Sequence, residues 1–560
     1  MKNNSVNLKK LFLEKKYSQI ISIIENDINE SDQNSGLLNL SGVCKNLLGN
    51  DIEIIKSSQE DFRKAYLKEK NTPNAIHALK NFINVSMDIY DLETRLGKNQ
   101  NDKIFKEILE YFENNKDLFL TSESHAKSIL RVFKRNLDFN NIFYFLKNII
   151  KLNNKDVDAI CSYIYFNNFI SKWSQKDFFE YVKILNKNIQ QYALEQFNVI
   201  SDNKGPKINL AFLTSDIRGH HSVTYFLKSV LLNYDRAKFN IFLYLNNKKE
   251  DETLINFKKY FFRIKNIFNL SDVEAINLIR KDKIDVIIDL MGLTSTNRLA
   301  IFKNRVAKKQ VLWCGYNNTT GIEEMDYLIS DYNCIFESEQ KFYSEKIIYL
   351  KKIWNCHAGF PFARKYNKLP YDTNKYITFG SFNNFKKIND DVINTWSSIL
   401  KKIPDSKLIL KTSDPASLST IFNKFEKKGV LESIKFQPFK KKIEDHLKDY
   451  NKIDIALDTF PYNGVTTSFE AIWMGVPVLT MSGNNFNSRT GESINKNLNL
   501  DELICKDQNE YIVKASSLAT DINKIRYLRH LVFSESLNSP LFNKKEFSDE
   551  FFSALQRLIA

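Results

Sequence analysis

An all-helical N-terminal segment followed by two doubly wound α/β halves is the architecture that this 560-residue sequence predicts. Three observations predict it. Glycine and proline are scarce before Gly205-Pro206, with four Gly and one Pro, and common from that pair onward, with twelve and nine. Apolar residues of the first part recur at spacings of three and four, as in Ile104, Ile108, Leu109 and Phe112, which is the pattern of amphipathic helices. After Pro206, short continuous apolar runs alternate with amphipathic stretches, the β-α-β punctuation of parallel sheets covered on both faces.

The elements follow in order. Residues 1–205 can be nearly all helix, since little in them breaks one. The stretch LLNLSGVCKNLLGND, followed by Phe62, Ala65 and Pro73, has the spacing of one degenerate tetratricopeptide-like hairpin. No second clean copy of that period is visible, so a helical-repeat solenoid and an irregular helical domain both fit. Residues 206–370 carry the runs KINLAFLT, FNIFLYL, KIDVIIDL and KQVLWCGY; residues 371–560 carry YITFGSF, KLILK, SIKFQPF, KIDIALD and VPVLTM. Each series reads as one doubly wound half, with the boundary near Asn367 to Thr373. Ligands of such sheets bind beyond the carboxyl ends of the strands, and two halves offer a cleft between them.

Composition narrows the function classes. With 43% hydrophobic and 26% charged residues the chain is ordinary globular material. The formal charge of +15 could signal anionic partners, but the lysines are interspersed with acids and runs such as Lys440 to Lys442 are short, so nucleic acid is not an expected partner. The six cysteines lie far apart with no C-x-x-C, which suits a reducing compartment. The N-terminus has no continuous apolar core, and no stretch approaches about 18 uninterrupted apolar residues. A cytoplasmic protein without membrane insertion is expected.

The strand-to-helix junctions carry the chemistry. They are Ser215 to His221, Asn317 to Gly321, Asn383 to Lys387, and Asn463 to Glu470. Asn463-Gly464-Val465-Thr466-Thr467 reads as a turn with a helix N-terminus. It reads equally as an anion site, because free N–H groups and two hydroxyls there suit a phosphate. Glu470 lies one turn further in, where a carboxylate could accept two sugar hydroxyls. Lys387 is either a solvated lysine or a point charge that neutralises phosphate in the cleft. His220 and His221 follow the first strand, where a histidine packs, caps or meets the other half's ligand.

The order of these motifs resembles the catalytic region of the protein O-GlcNAc transferase and SPINDLY family. FLTSDIRGHHSVTYFL, QVLWCGYNNTTGIEEMDYLISD, ITFGSFNNFKKI, LDTFPYNGVTTSFEAIWMGVPVLTM and SRTGES carry the likeness, which runs from about Lys207 to Leu558. The resemblance implies a GT-B glycosyltransferase behind a tetratricopeptide-like domain, using a UDP-sugar donor and no further cofactor. It implies that Lys387 meets the diphosphate and stabilises leaving UDP, with Asn384 beside the phosphates and Thr466 and Thr467 holding them. Glu470 takes the ribose position and His446 that of the base-stacking histidine. His220 matches a first-half histidine that is either general base or reaction-centre lining, and Cys314 and Gly315 fall where backbone approaches the donor sugar.

Three positions depart from the family pattern. Leu293 stands where bacterial relatives usually carry His, Asn317-Asn318 replace a Pro-Gly pair, and Ile443 stands where a lysine is expected, with Lys442 adjacent. Displacing UDP leaves a diphosphate whose charge a helix N-terminus and Lys387 can offset, so no metal ligand set is expected. The only D-x-D, Asp156-Val157-Asp158, falls in the helical part. The expected reaction is inverting, metal-independent transfer of GlcNAc or a related hexose to Ser or Thr hydroxyls, with the protein or peptide acceptor presented along the helical domain and cleft. An Asn acceptor, a non-protein acceptor, or an inactive helical scaffold are the alternatives.

Overall fold

The computed structural model describes residues 2–49, 51–70, 72, 74–96, 103–170, 173–194, 202–219, 221–248, 250–412, 415–438, 440 and 442–559. The chain forms two compact units. One comprises Met1–Asp156 with Ser413–Thr420, the other Val157–Thr412 with Ile421–Ala560. Among the described residues no helix is long and apolar enough to cross a membrane.

In the first unit, helices Ser35–Leu48 and Ile52–Lys68 pack together where the sequence suggests a tetratricopeptide-like hairpin. Gly42 permits the close approach: a Cβ there would lie 2.7 Å from the Phe62 ring. Ser58 Oγ donates to the Gly42 carbonyl at 2.7 Å, and Phe62 and Ala65 are fully buried. Pro73, the last residue of that pattern, lies outside the described residues. Helix Lys103–Glu113 buries Phe105, Ile108, Tyr111 and Phe112; of the apolar residues whose spacing predicts the helix, Ile108 and Phe112 are buried, while Ile104 and Leu109 are half-buried at the edges of that face. Each such side chain contributes about 1.5–3 kcal/mol by leaving water. Helix Glu123–Asn136 is capped by Ser122, whose hydroxyl accepts from the His125 N–H at 3.3 Å.

The second unit holds two parallel sheets. The first runs through β1 (Ile208–Thr214), β2 (Phe239–Leu245), β3 (Arg263–Asn266), β4 (Val286–Asp289), β5 (Lys309–Leu312), β6 (Tyr327–Asp331) and β7 (Lys346–Leu350). The second runs through β8 (Thr378–Ser381), β9 (Lys407–Thr412), β10 (Ile434–Pro438), β11 (Ile455–Leu457), β12 (Val478–Met481) and β13 (Ile504–Cys505). Their orders are β3-β2-β1-β4-β5-β6-β7 and β10-β9-β8-β11-β12-β13. Both orders reverse direction at the first strand, between β1 and β4 and between β8 and β11, which opens a ligand crevice at the carboxyl ends there.

Two features join the halves. Helix Lys544–Arg557, last in the chain, returns to the first half: Phe551 meets Trp313 at 4.6 Å between ring centroids and Phe552 meets Phe239 at 5.0 Å. Ahead of the first sheet, helices Val157–Asn167 and Gln175–Ile189 also belong to this unit. Gln175 Nε2 donates to Asn318 Oδ1 at 3.1 Å, and Asn186 Nδ2 to Glu323 Oε1 at 2.9 Å. The change in composition lies at Gly205-Pro206, whereas the contacts divide the chain after Asp156. Helical periodicity says which face is buried and not which unit buries it.

Candidate active site

A cavity of about 620 Å³ opens where the carboxyl ends of both sheets meet. Its walls include Lys387, Asn384, Thr466, Thr467, Cys314 and Gly315, so six of the nine residues singled out from the sequence converge on it. They come from three separate strand-end loops.

Each half clamps its loop with one buried carboxylate at the end of the strand beyond the switch point. Asp289, which ends β4, accepts from the Met291 and Gly292 N–H groups at 2.9 and 3.0 Å. Asp458, just past β11, accepts from Thr459 N at 2.8 Å, Gly464 N at 2.6 Å and Thr480 Oγ1 at 2.8 Å. Burial raises both carboxyls, Asp289 to about 7 and Asp458 to about 6, against the opposing pull of those donors. Gly464 is required at its turn, since a Cβ would lie 2.6 Å from Thr467 Oγ1 and 2.9 Å from Asp458 Oδ1.

That clamped loop leads into helix Thr466–Trp473, whose first two residues line the cavity; the first N–H groups of a helix have no partner within it and suit an anion. Thr467 Oγ1 donates to Asn383 Oδ1 at 2.9 Å. Lys387 closes the short turn Phe385–Lys387 after β8, and Asn384 caps that turn by accepting from the Lys386 N–H at 3.0 Å. The Lys387 ammonium donates to the Asn463 carbonyl at 2.7 Å and sits 4.2 Å from the centre of the Tyr462 ring. Burial pushes its pKa down to about 8, and the Asp458 carboxylate opposes that shift. A positive charge is thus held beside a helix N-terminus, in a cavity suited to an anion.

Cys314 stands at φ 75°, a left-handed conformation, and lines the cavity. Gly315 follows because a Cβ there would lie 1.8 Å from the Leu290 carbonyl oxygen. Burial pushes the Cys314 thiol well above its usual range.

The other predicted residues are placed differently. His446 and Glu470 do not line this cavity; they pair with each other, Nε2 to Oε2 at 3.0 Å, and Tyr450 OH donates to the same Glu470 oxygen at 2.9 Å. Glu470 lies one turn along the helix that begins at Thr466. His220 lies outside the described residues. His221 lines the cavity with Nε2 3.5 Å from Asp216 Oδ1 and a buried Nδ1 that has no partner. Burial lowers its pKa although Asp216 pulls it upward.

The departures from the family pattern separate. Leu293 is buried. Asn317 lines the cavity with its Oδ1 unpartnered, whereas Asn318 turns to the helical segment and donates to Asn168 Oδ1 at 3.3 Å. Lys442 is exposed at the start of helix Ile443–Lys448. Sequence reasoning missed the roles of Asp458, Tyr462 and Tyr165, which hold or line the cavity; Asp458 and Tyr462 were legible only as members of the DIALDTFPYNG stretch, and Tyr165 gave no signal at all.

Two doubly wound halves with one cavity at their facing strand ends define a GT-B fold. The chain belongs to glycosyl transferase family 41, whose profile matches residues 167–358 and 361–551, more than half of its length. The solved structure of a mutant of the Thermobaculum terrenum O-GlcNAc transferase shares the fold, with a TM-score of 0.79 over 94% of this chain and 98% of its own, at 23% identity. A probable UDP-N-acetylglucosamine–peptide N-acetylglucosaminyltransferase SPINDLY of Petunia hybrida is 31% identical over 376 residues, 65% of this chain and 40% of that protein. Its namesake from Hordeum vulgare is 33% identical over 348 residues, 60% and 37% of the two chains. The chain therefore spans about two fifths of the length of these curated relatives.

Proposed function

We propose that the protein transfers a hexose, GlcNAc or a close relative, from a UDP-sugar to Ser or Thr hydroxyls of polypeptides. The observation that carries this reading is the Lys387 ammonium beside the Thr466–Thr467 helix start, in a cavity at the switch points of both sheets. In the reaction the bond from the sugar's anomeric carbon to the β-phosphate oxygen breaks, and the bond from that carbon to the acceptor oxygen forms. The electron pair leaves with UDP, and the acceptor proton passes to a base. Attack from the face opposite the departing UDP inverts the anomeric carbon.

Lys387 meets charge that grows on the leaving diphosphate, and the helix N–H groups share it. Both are in place before the reaction, so no reorganisation is needed as the bond breaks. Glu470, one turn beyond the threonines, and His446, paired with it from a separate helix, extend the donor site toward ribose and base. By the family resemblance His220 either accepts the proton or lines the reaction centre, and its replacement by Ala should lower turnover.

Calorimetry with UDP should show binding by the full chain, and hexose transfer should appear against a panel of UDP-sugars and peptide acceptors. A folded chain that binds no UDP would sink the reading. Because protein groups supply the positive charge, turnover should persist in EDTA; a strict need for Mn²⁺ or Mg²⁺ would contradict it. The pH dependence has a definite sign. Lys387 carries its charge below about 8 and loses it above, so kcat/KM for the donor should fall as pH rises through about 8.

A further inference from the structure

Lys387 is held by more than its own half. Tyr462, whose ring lies 4.2 Å from the ammonium, is itself stacked on Phe169, with ring centroids 5.1 Å apart and planes 16° from parallel. Phe169 comes from the turn that ends helix Val157–Asn167, in the helical segment ahead of the first sheet. It is 2% exposed and braced by Tyr165, edge-on at 5.2 Å.

One side chain sets the register of these parts. Asn389, two residues past Lys387, donates through Nδ2 to the Phe169 carbonyl at 2.9 Å and to the Phe460 carbonyl at 2.8 Å. Its Oδ1 accepts from the Val392 N–H at 3.0 Å, capping the next helix. The Lys387 loop, the Tyr462 loop and the end of the helical segment are thus pinned at one buried amide. Asn168 ties the same turn to the rest of the site, accepting from Asn487 Nδ2 at 2.7 Å and Asn318 Nδ2 at 3.3 Å.

We propose that Phe169 is a positioning residue for Lys387: its ring fixes Tyr462 beneath the ammonium and keeps water from that side. The role rests on the reading of Lys387 as the group that meets leaving UDP. The Asp458 carboxylate past β11 acts on the ammonium and the Tyr462 ring lies beside it, while the cavity walls add Tyr165, Asp216, Arg218, His221, Lys248 and the Cys314 thiol. Phe169 carries no charge, so its effect reaches Lys387 only through packing and exclusion of water. Removing the ring lets Tyr462 tilt and water approach, which loosens the ammonium and weakens the desolvation that depresses its pKa.

The test compares Phe169→Ala with Phe169→Leu in the full chain. One readout needs no substrate: the pH midpoint for acylation of Lys387 by an amine-directed anhydride, followed by peptide mass spectrometry. In the parent chain that midpoint should lie near 8. It should rise toward the ordinary lysine value in Phe169→Ala and stay near the parent's in Phe169→Leu, which retains most of the apolar volume. The second readout is turnover: kcat should fall about 10-fold in Phe169→Ala, with a much smaller change in UDP affinity, and recover in part in Phe169→Leu. A folded Phe169→Ala with an unmoved midpoint and parental kcat overturns the proposal. Should that variant fail to fold, Phe169→Val decides by the same two readouts, a shift in the same direction supporting it and none overturning it. Absence of UDP binding by the parent chain would remove the proposed function, and the labelling midpoint would still judge the packing role.

Discussion

Replacing Lys387 by Ala should lower the transfer rate at saturating UDP-sugar by about 10²-fold or more, the scale of removing one preorganised stabilising group. The ammonium is committed in advance, with the Asn463 carbonyl at 2.7 Å and the Tyr462 ring at 4.2 Å. In the proposed reaction it meets charge that is greatest as the bond to UDP breaks, so kcat should suffer more than donor affinity. Arg at this position would keep the charge but spread it over a planar fork that the small space between Asn463 and Tyr462 does not match, so only partial recovery is expected. Thr466→Ala and Thr467→Ala should be milder, because the N–H groups of the same helix start remain. Initial rates across donor concentrations, with circular dichroism to confirm folding, measure this. Parental turnover in a folded Lys387→Ala would make Lys387 a packing residue.

Asp458→Ala should produce the second large effect, and on two observables. The substitution strands the Thr459 and Gly464 N–H groups and the Thr480 hydroxyl in a buried place, at about 1–3 kcal/mol for each donor left without a partner. The thermal midpoint should drop by about 5–10 °C or more for a unit of this size. Turnover should fall with it, because the turn that aims Asn463 at Lys387 and starts the Thr466 helix loses its clamp. Asp458→Asn separates the two effects. It keeps an acceptor for the backbone N–H groups and removes the charge, so stability should suffer less. Since the Asp458 carboxylate raises the Lys387 pKa, its loss should move the alkaline fall of kcat/KM to lower pH, opposite to the shift expected for Phe169→Ala. A pH profile in which both variants shift the same way would contradict the charge arrangement around Lys387.

What could be read before folding was whatever one strand and its following loop encode. The apolar runs that became β1, β2, β4 and β5, and β8 to β12, are local signals, and so are the polar residues immediately after them. A strand in a doubly wound sheet must deliver its next residues to the carboxyl edge, so Asn384, Lys387, Thr466 and Thr467 reach one cavity with no further information. Asp458 was visible as the end of a strand run, but its three donors were not, since Gly464 and Thr480 approach only when the loop folds back on β12. The pairing of His446 with Glu470 likewise depends on two helices separated by a strand.

By itself, the sequence determined that this is a helical segment followed by two parallel α/β halves, and which strand-end loops line the cavity, because side-chain periodicity and turn residues act over a few positions. Only the tertiary structure decided that helix Val157–Asn167 joins the unit of the two sheets, that Asn318 turns away from the cavity while Asn317 faces it, and that Phe169 stacks on Tyr462 under Lys387. An aromatic ring is apolar in the same way toward every partner, so its sequence predicts burial and leaves the choice of neighbour to packing. That choice is made among elements hundreds of residues apart, where shape and a few buried amides such as Asn168 and Asn389 select one arrangement.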